Sequence, residues 1–159
     1  MNYTRYFLII LASLAAILLL SACMPIITVS NQTPVGIRAV VMPPGQSKQS
    51  ISVTAGESSS VESAENGAYT VVVIQDREWI EWAKATRQYL NDRLAQSDEL
   101  TGEQLLDVIR RLKDIATRMD AYEKIGTSGS ACSGTITDEG GGLVEVSQGA
   151  DGNLVVACR

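Results

Sequence analysis

The sequence predicts an α+β fold, an antiparallel β-sandwich-like domain interrupted by a long antiparallel helical hairpin. Three observations carry this expectation. Residues 26–75 fall into short runs rich in β-branched side chains, parted by Gly-, Pro- and Asn-containing breaks. At Asp76 the apolar period changes from that of a strand to that of a helix, and it holds to about residue 125. From residue 131 to 158 the strand pattern returns.

IITVS (26–30) and VGIRAVVM (35–42) are strand-like and separated by NQTP, a turn composition. Pro43-Pro44-Gly45 excludes a regular ladder, because two successive residues lack a backbone donor. QSISVT (49–54) alternates Ile51 and Val53 with polar neighbours, the pattern of a half-buried strand. AGE turns the chain, SSSVES (58–63) is a weaker strand, and ENG (65–67) turns it again. AYTVVVIQ (68–75) is the strongest strand, apolar on both faces toward its end, and so predicted to be central.

Asp76 is placed to cap a first helix running from Arg77 to about Gln96, a stretch without Gly or Pro. Thr101 and Gln104 match a capping box that opens a second helix. Its apolar positions, Leu105, Val108, Leu112, Ile115, Met119 and Tyr122, form a heptad seam suited to packing along another helix. Gly126 is predicted to end it, with Lys124 in the last turn. SDEL between the helices is short, so an antiparallel hairpin over 77–125 follows. ACSGTIT (131–137), GLVEVSQ (142–148) and NLVVACR (153–159) then complete the sheet, separated by DEGGG and GADG turns.

The chain opens MNYTRY, with Arg5 beside the amino terminus, and continues uncharged from Phe7 to Ala22. About 16 apolar residues are short for a membrane span, which needs roughly 20, but they suit an export signal. The run ends in Leu20-Ser21-Ala22-Cys23. This pattern resembles the lipobox of bacterial prolipoproteins: an aliphatic residue, two small ones, then cysteine. The resemblance implies that residues 1–22 are a signal peptide removed on export, and that the Cys23 thiol carries diacylglycerol. The new amine would usually be acylated, with palmitate as the label to follow. The mature chain would then be 23–159, about 137 residues, the length of a single domain; the resemblance implies that this envelope domain is lipid-anchored to a bacterial membrane on its extracytoplasmic side. It covers residues 1–23 only and implies nothing about the mature fold. The other readings of these residues are a plain secretory signal, or an uncleaved anchor with Cys23 as an ordinary thiol. Met24 rather than Asp follows Cys23, so no inner-membrane retention signal of the enterobacterial kind is present.

With Cys23 committed to lipid, Cys132 and Cys158 remain. Outside the cytoplasm a disulfide between them is the favoured state; the alternative is two separate buried thiols. The net charge is −5 with no basic run, which argues against nucleic acid as a partner. There is no histidine, so Ser-His-Asp and Cys-His catalysis and the usual zinc sites are excluded. No cofactor motif is found: the glycines at 140–142 lack the following Lys-Ser/Thr of a phosphate cradle. Asp138, Glu139, Asp151 and Asn153 put oxygens in two neighbouring turns without the spacing of a calcium loop, so no metal site is predicted. Asn31-Gln32-Thr33 matches a glycosylation sequon and is read as a turn. Lys124 with Ser128 or Ser130 could be paired as a Ser-Lys dyad, yet that segment reads better as a helix exit.

Paired carboxylates are the remaining catalytic material, with Glu78 and Glu81 three apart on the first helix. Solvated helix charge is the simpler reading. Trp79 and Trp82, also three apart, are expected on nearly the same helix face, and Tyr89 continues the Trp82 face one heptad later. They either pack the helix base on the sheet or form a site for a partner protein, a sugar or the lipid interface. The expected function is therefore a membrane-anchored cell-envelope lipoprotein with a non-enzymatic binding or structural role. That role would be contact with an envelope protein or wall polymer. The alternative is a small carboxylate-dependent hydrolase acting on wall glycan. A two-lobed solute receptor needs more chain than this.

Overall fold

A computed structural model describes residues 24–125, 129–137 and 140–159. The signal segment 1–22, Cys23, the expected helix stop Gly126, Ser128, and the turn acids Asp138 and Glu139 lie outside the described residues. Eight strands and two helices are present among them: β1 (Ile26–Asn31), β2 (Ile37–Met42), β3 (Gln49–Val53), β4 (Ser58–Glu62), β5 (Gly67–Gln75), α1 (Arg77–Ala95), α2 (Gly102–Lys124), β6 (Ser130–Ile136), β7 (Gly142–Gln148) and β8 (Leu154–Cys158). A short 3-10 turn, Ser97–Glu99, joins the helices. No described helix is long and apolar enough to cross a membrane.

The strands form two four-stranded sheets, ordered β4-β1-β7-β8 and β3-β2-β5-β6. Each strand contributes alternate side chains to one apolar cluster drawn from both sheets. Ile27 and Val29 of β1, Ile37, Ala39 and Val41 of β2, Val71 and Val73 of β5, and Val144 and Val146 of β7 are fully buried within it. Each such Val or Ile contributes about 1.5–3 kcal/mol relative to exposure. β5 is an interior strand, as its sequence predicts. Its second apolar face is not a second core, however: Val72 is half-buried and Ile74 exposed, because that side of the sheet carries no covering layer.

The expectation of an all-antiparallel arrangement needs one correction. β1 and β7 pair in parallel, Ile27 opposite Gly142 and Asn31 opposite Val146. β7 is reached only after both helices and β6, so no hairpin constrains its direction, and a long crossover permits a parallel return. Every other pair is antiparallel.

Cys132 and Cys158 form a disulfide with Cα atoms 5.6 Å apart, within the range such bonds require. Cys132 lies on β6 and Cys158 on β8, the outer strands of different sheets. The bond therefore staples one sheet to the other and holds the last strand of the chain.

The turn after β1 is built on a buried amide. Asn31, 1% exposed, donates through Nδ2 to the carbonyls of Val35 (2.8 Å), Val53 (3.0 Å) and Thr54 (3.1 Å). Its Oδ1 accepts from the Thr33 backbone N–H (3.0 Å) and from Thr33 Oγ1 (2.7 Å). The sequon is thus a turn, as its composition suggests, with Asn31 and Thr33 sealed inside it and Gln32 exposed.

Candidate functional site

The helices depart from one end of the β-structure, where Gln75 closes β5 and Asp76 caps α1. The Asp76 carboxylate accepts from the Glu78 backbone N–H (3.1 Å), as its position before a helical pattern predicts. Arg38, the one charge within the apolar run of β2, reaches Glu78 at 2.9 Å and Asp76 at 3.4 Å. The hydrogen bond and charge of Glu78, then the charge of Asp76, raise the guanidinium above its ordinary range. Glu78 is 79% exposed and Arg38 32%, so solvent screens this link; it fixes direction more than it adds stability.

Gln75 holds the other helix end. Its Nε2 donates to the carbonyl of Tyr122 at 2.8 Å, which also accepts from the Ile125 N–H, and to the carbonyl of Ile125, the residue that caps the helix. Trp79 stacks on Tyr122, ring centroids 5.4 Å apart and planes 24° from parallel. Gly36 makes room for it, since a Cβ there would sit 2.8 Å from the Trp79 ring. Tyr122 is buried, and that burial, ahead of the nearby Asp76 charge, raises its phenol. Ile125 enters the core at 1% exposure. Two helix ends are thus held by Gly36, immediately before β2, and by the strand residues Arg38 and Gln75.

Beyond this base the helices rely on each other. Leu90 of α1 and Val108 and Ile115 of α2 form a separate buried cluster, flanked by Leu94, Leu100, Leu112 and Met119. Val108, Leu112, Ile115 and Met119 are four of the six seam positions that the spacing of α2 predicts, while Tyr122 joins the β core instead. Thr101 and Gln104 make the expected capping box, with bonds of 3.0 and 3.3 Å.

The structure divides the three aromatics singled out in the sequence. Trp79 belongs to the base, half-buried against the core. Trp82 and Tyr89 are 55% and 58% exposed. Residues three apart on a helix differ by about 60° around its axis, which is enough to put Trp79 inward and Trp82 outward. Trp82 and Tyr89, seven apart, remain on one face. Tyr89 borders an open depression of about 420 Å³ toward the helix tips, shared with Arg93, Gln104, Asp107 and Arg111. With Glu103, this surface offers an aromatic ring, two guanidinium groups and two carboxylates.

The carboxylate pair is differently placed. Glu78 is engaged by Arg38, and Glu81, 70% exposed, by Lys84 at 2.8 Å. In the last turn, Asp151 accepts from the Asn153 backbone and side chain at 3.1 and 2.8 Å; these bonds lower its carboxyl below the usual value. Both are ordinary turn interactions. Sequence reasoning missed Arg38, Gln75 and Asn31. The isolated Arg within a β-branched run is the one visible signal among them; Gln75 and Asn31 act through backbone carbonyls brought together only by folding.

No protein-family model matches the chain, and no curated protein and no solved structure matches it significantly.

Proposed function

We propose that this protein is a membrane-anchored cell-envelope lipoprotein with a non-enzymatic binding or structural role, and that its helices carry the contact. In this reading the two sheets face each other as a sandwich, and α1 and α2 form a projecting antiparallel hairpin. Cys23 bears the lipid, and Trp82 and Tyr89 are the docking residues for an envelope protein or wall polymer.

One observation carries the contact reading. The helices keep an apolar cluster of their own, distinct from the β core, yet leave two large aromatics of α1 in water. A helix needed only to cover the sheet would bury such rings. Exposed aromatics beside arginines are the residues that dominate binding energy at protein interfaces.

Two measurements test the proposal. Labelled palmitate should appear in the wild-type mature band and be absent from Cys23→Ala, with precursor accumulating under globomycin; label retained by Cys23→Ala would defeat the anchor. In-cell crosslinking and pull-down should recover a partner with wild type and lose it with Trp82→Ala/Tyr89→Ala. Those side chains are exposed, so the fold should survive, and an unchanged partner set would defeat the contact reading.

A further inference from the structure

The strands have a common polarity that decides which way the helices point. In the first sheet, Ile26, Glu62, Gly142 and Cys158 lie at one end, by the pairings of Ile26 with Glu62, Ile27 with Gly142 and Val144 with Cys158. In the second sheet the same end holds Met42, Gln49, Gly67 and Ile136. The connection from β4 to β5 joins the two sheets there. Both helices are attached at the opposite end, where Gln75 closes β5 and pairs with Ile37.

Only Met24 and Pro25 separate Cys23 from β1. At no more than about 3.6 Å per residue, so short a connection spans at most about 11 Å. A lipid on Cys23 leaves no linker over which the domain could stand off from the bilayer. Of the six large apolar side chains that the described β-structure exposes, four lie at the Cys23 end and on both sheets: Met24 (53%), Ile26 (43%), Met42 (38%) and Leu143 (38%), whereas Ile74 and Val155 lie apart from one another toward the helix end. Ile26 and Leu143 are near neighbours on the outer face of β1 and β7.

We infer that the β-domain stands end-on against the lipid surface, with Met24, Ile26, Met42 and Leu143 in the headgroup layer and the helices directed away from the membrane. This rests on the lipid-anchor reading and adds an orientation to it. β5 spans about 26 Å at 3.3 Å per residue, so Trp79 and Trp82 begin roughly that far from the bilayer. A lipid-interface role for these tryptophans is thereby excluded, and the helix tips, another ~28–34 Å on by helix length, are presented to the envelope space. Glu62 and Glu65 share the anchored end with Lys48 and Arg159, so these charges offset one another and the contact needs no anionic lipid.

The test uses the full lipidated protein in zwitterionic phosphatidylcholine vesicles, with and without bromine on the acyl chains near the headgroup. Native emission, from Trp79 and Trp82 alone, should be unchanged by bromine. The added emission of Leu143→Trp should be lost, and Met42→Trp on the other sheet gives a second reporter should the first disturb folding. Quenching of the native tryptophans, or none at either introduced one, would overturn the orientation. Intact mass of the same sample reports the lipid: an unmodified Cys23 overturns the anchor reading itself, whereas lipidated protein with unquenched reporters overturns the orientation alone.

Discussion

Replacing Tyr69 with phenylalanine should stabilise this protein. Tyr69 is 1% exposed and its ring occupies a slot that exists because residues 134 and 142 are glycine. A Cβ on Gly134 would lie 2.5 Å from the Tyr69 hydroxyl, and one on Gly142 2.7 Å from the ring. The hydroxyl at the end of that ring has no hydrogen-bond partner among the described residues. Leaving a buried hydroxyl unpaired costs about 1–3 kcal/mol. Phenylalanine keeps the ring and removes that cost, but forfeits the few dispersion contacts of one oxygen, each worth about 0.1–0.2 kcal/mol. The net gain should be about 1 kcal/mol. For a domain of this size that is roughly 3–4 °C in Tm, readable by thermal unfolding at neutral pH with the disulfide intact. Alkaline pH gives a second reading. Burial raises the Tyr69 phenol above its ordinary value, so above about pH 10 the unfolded chain releases its proton first and wild-type stability falls. The advantage of Tyr69→Phe should therefore widen as pH rises past 10. A lower Tm at neutral pH, or a gap that stays constant into the alkaline range, would refute the reasoning and mean that the hydroxyl is partnered.

Asn31→Ala should cost about 1–3 kcal/mol, because it removes the Nδ2 bonds to the carbonyls of Val35, Val53 and Thr54 and takes the Oδ1 acceptor from the buried Thr33 N–H; denaturant midpoints measure it. Cys158→Ser should lower stability by about 3 kcal/mol through the lost 26-residue closure, and reductant should destabilise wild type but not the variant. Leu90→Ala should cost about 2–5 kcal/mol, chiefly within the helices, since Leu90 belongs to their own cluster. Far-UV helical signal should then melt before the β core, whereas a single coincident transition would show that the two parts unfold as one.

Element boundaries were legible to within a residue or two. Each strand of the first half is flanked by Pro, Gly or Asn, and both helices open with a side-chain cap visible as Asp76 and as Thr101 with Gln104. The α2 seam was legible because its spacing alone determines which residues face a neighbouring helix. Pairing across the sheets was not. Whether β7 meets β1 in parallel depends on where a chain returns after a long excursion, and no local period records that. The same holds for the helix base. Tyr122 reads as one more seam residue, yet it stacks on Trp79 because Gly36 leaves room and Gln75 pins the helix end. The aromatic site was half legible: a three-residue spacing suggests a shared face, and only the position of the core decides that Trp79 turns in while Trp82 turns out.

In the proposed function, partner contact falls on the exposed face of α1, away from the lipid anchor. A photocrosslinking residue installed at Trp82 or Tyr89 in living cells tests this most directly, with the same residue at Ser52, exposed on β3, as the comparison. The account predicts a discrete crosslinked adduct from both helix positions and none from Ser52. An adduct from Ser52, with silent helix positions, would contradict it.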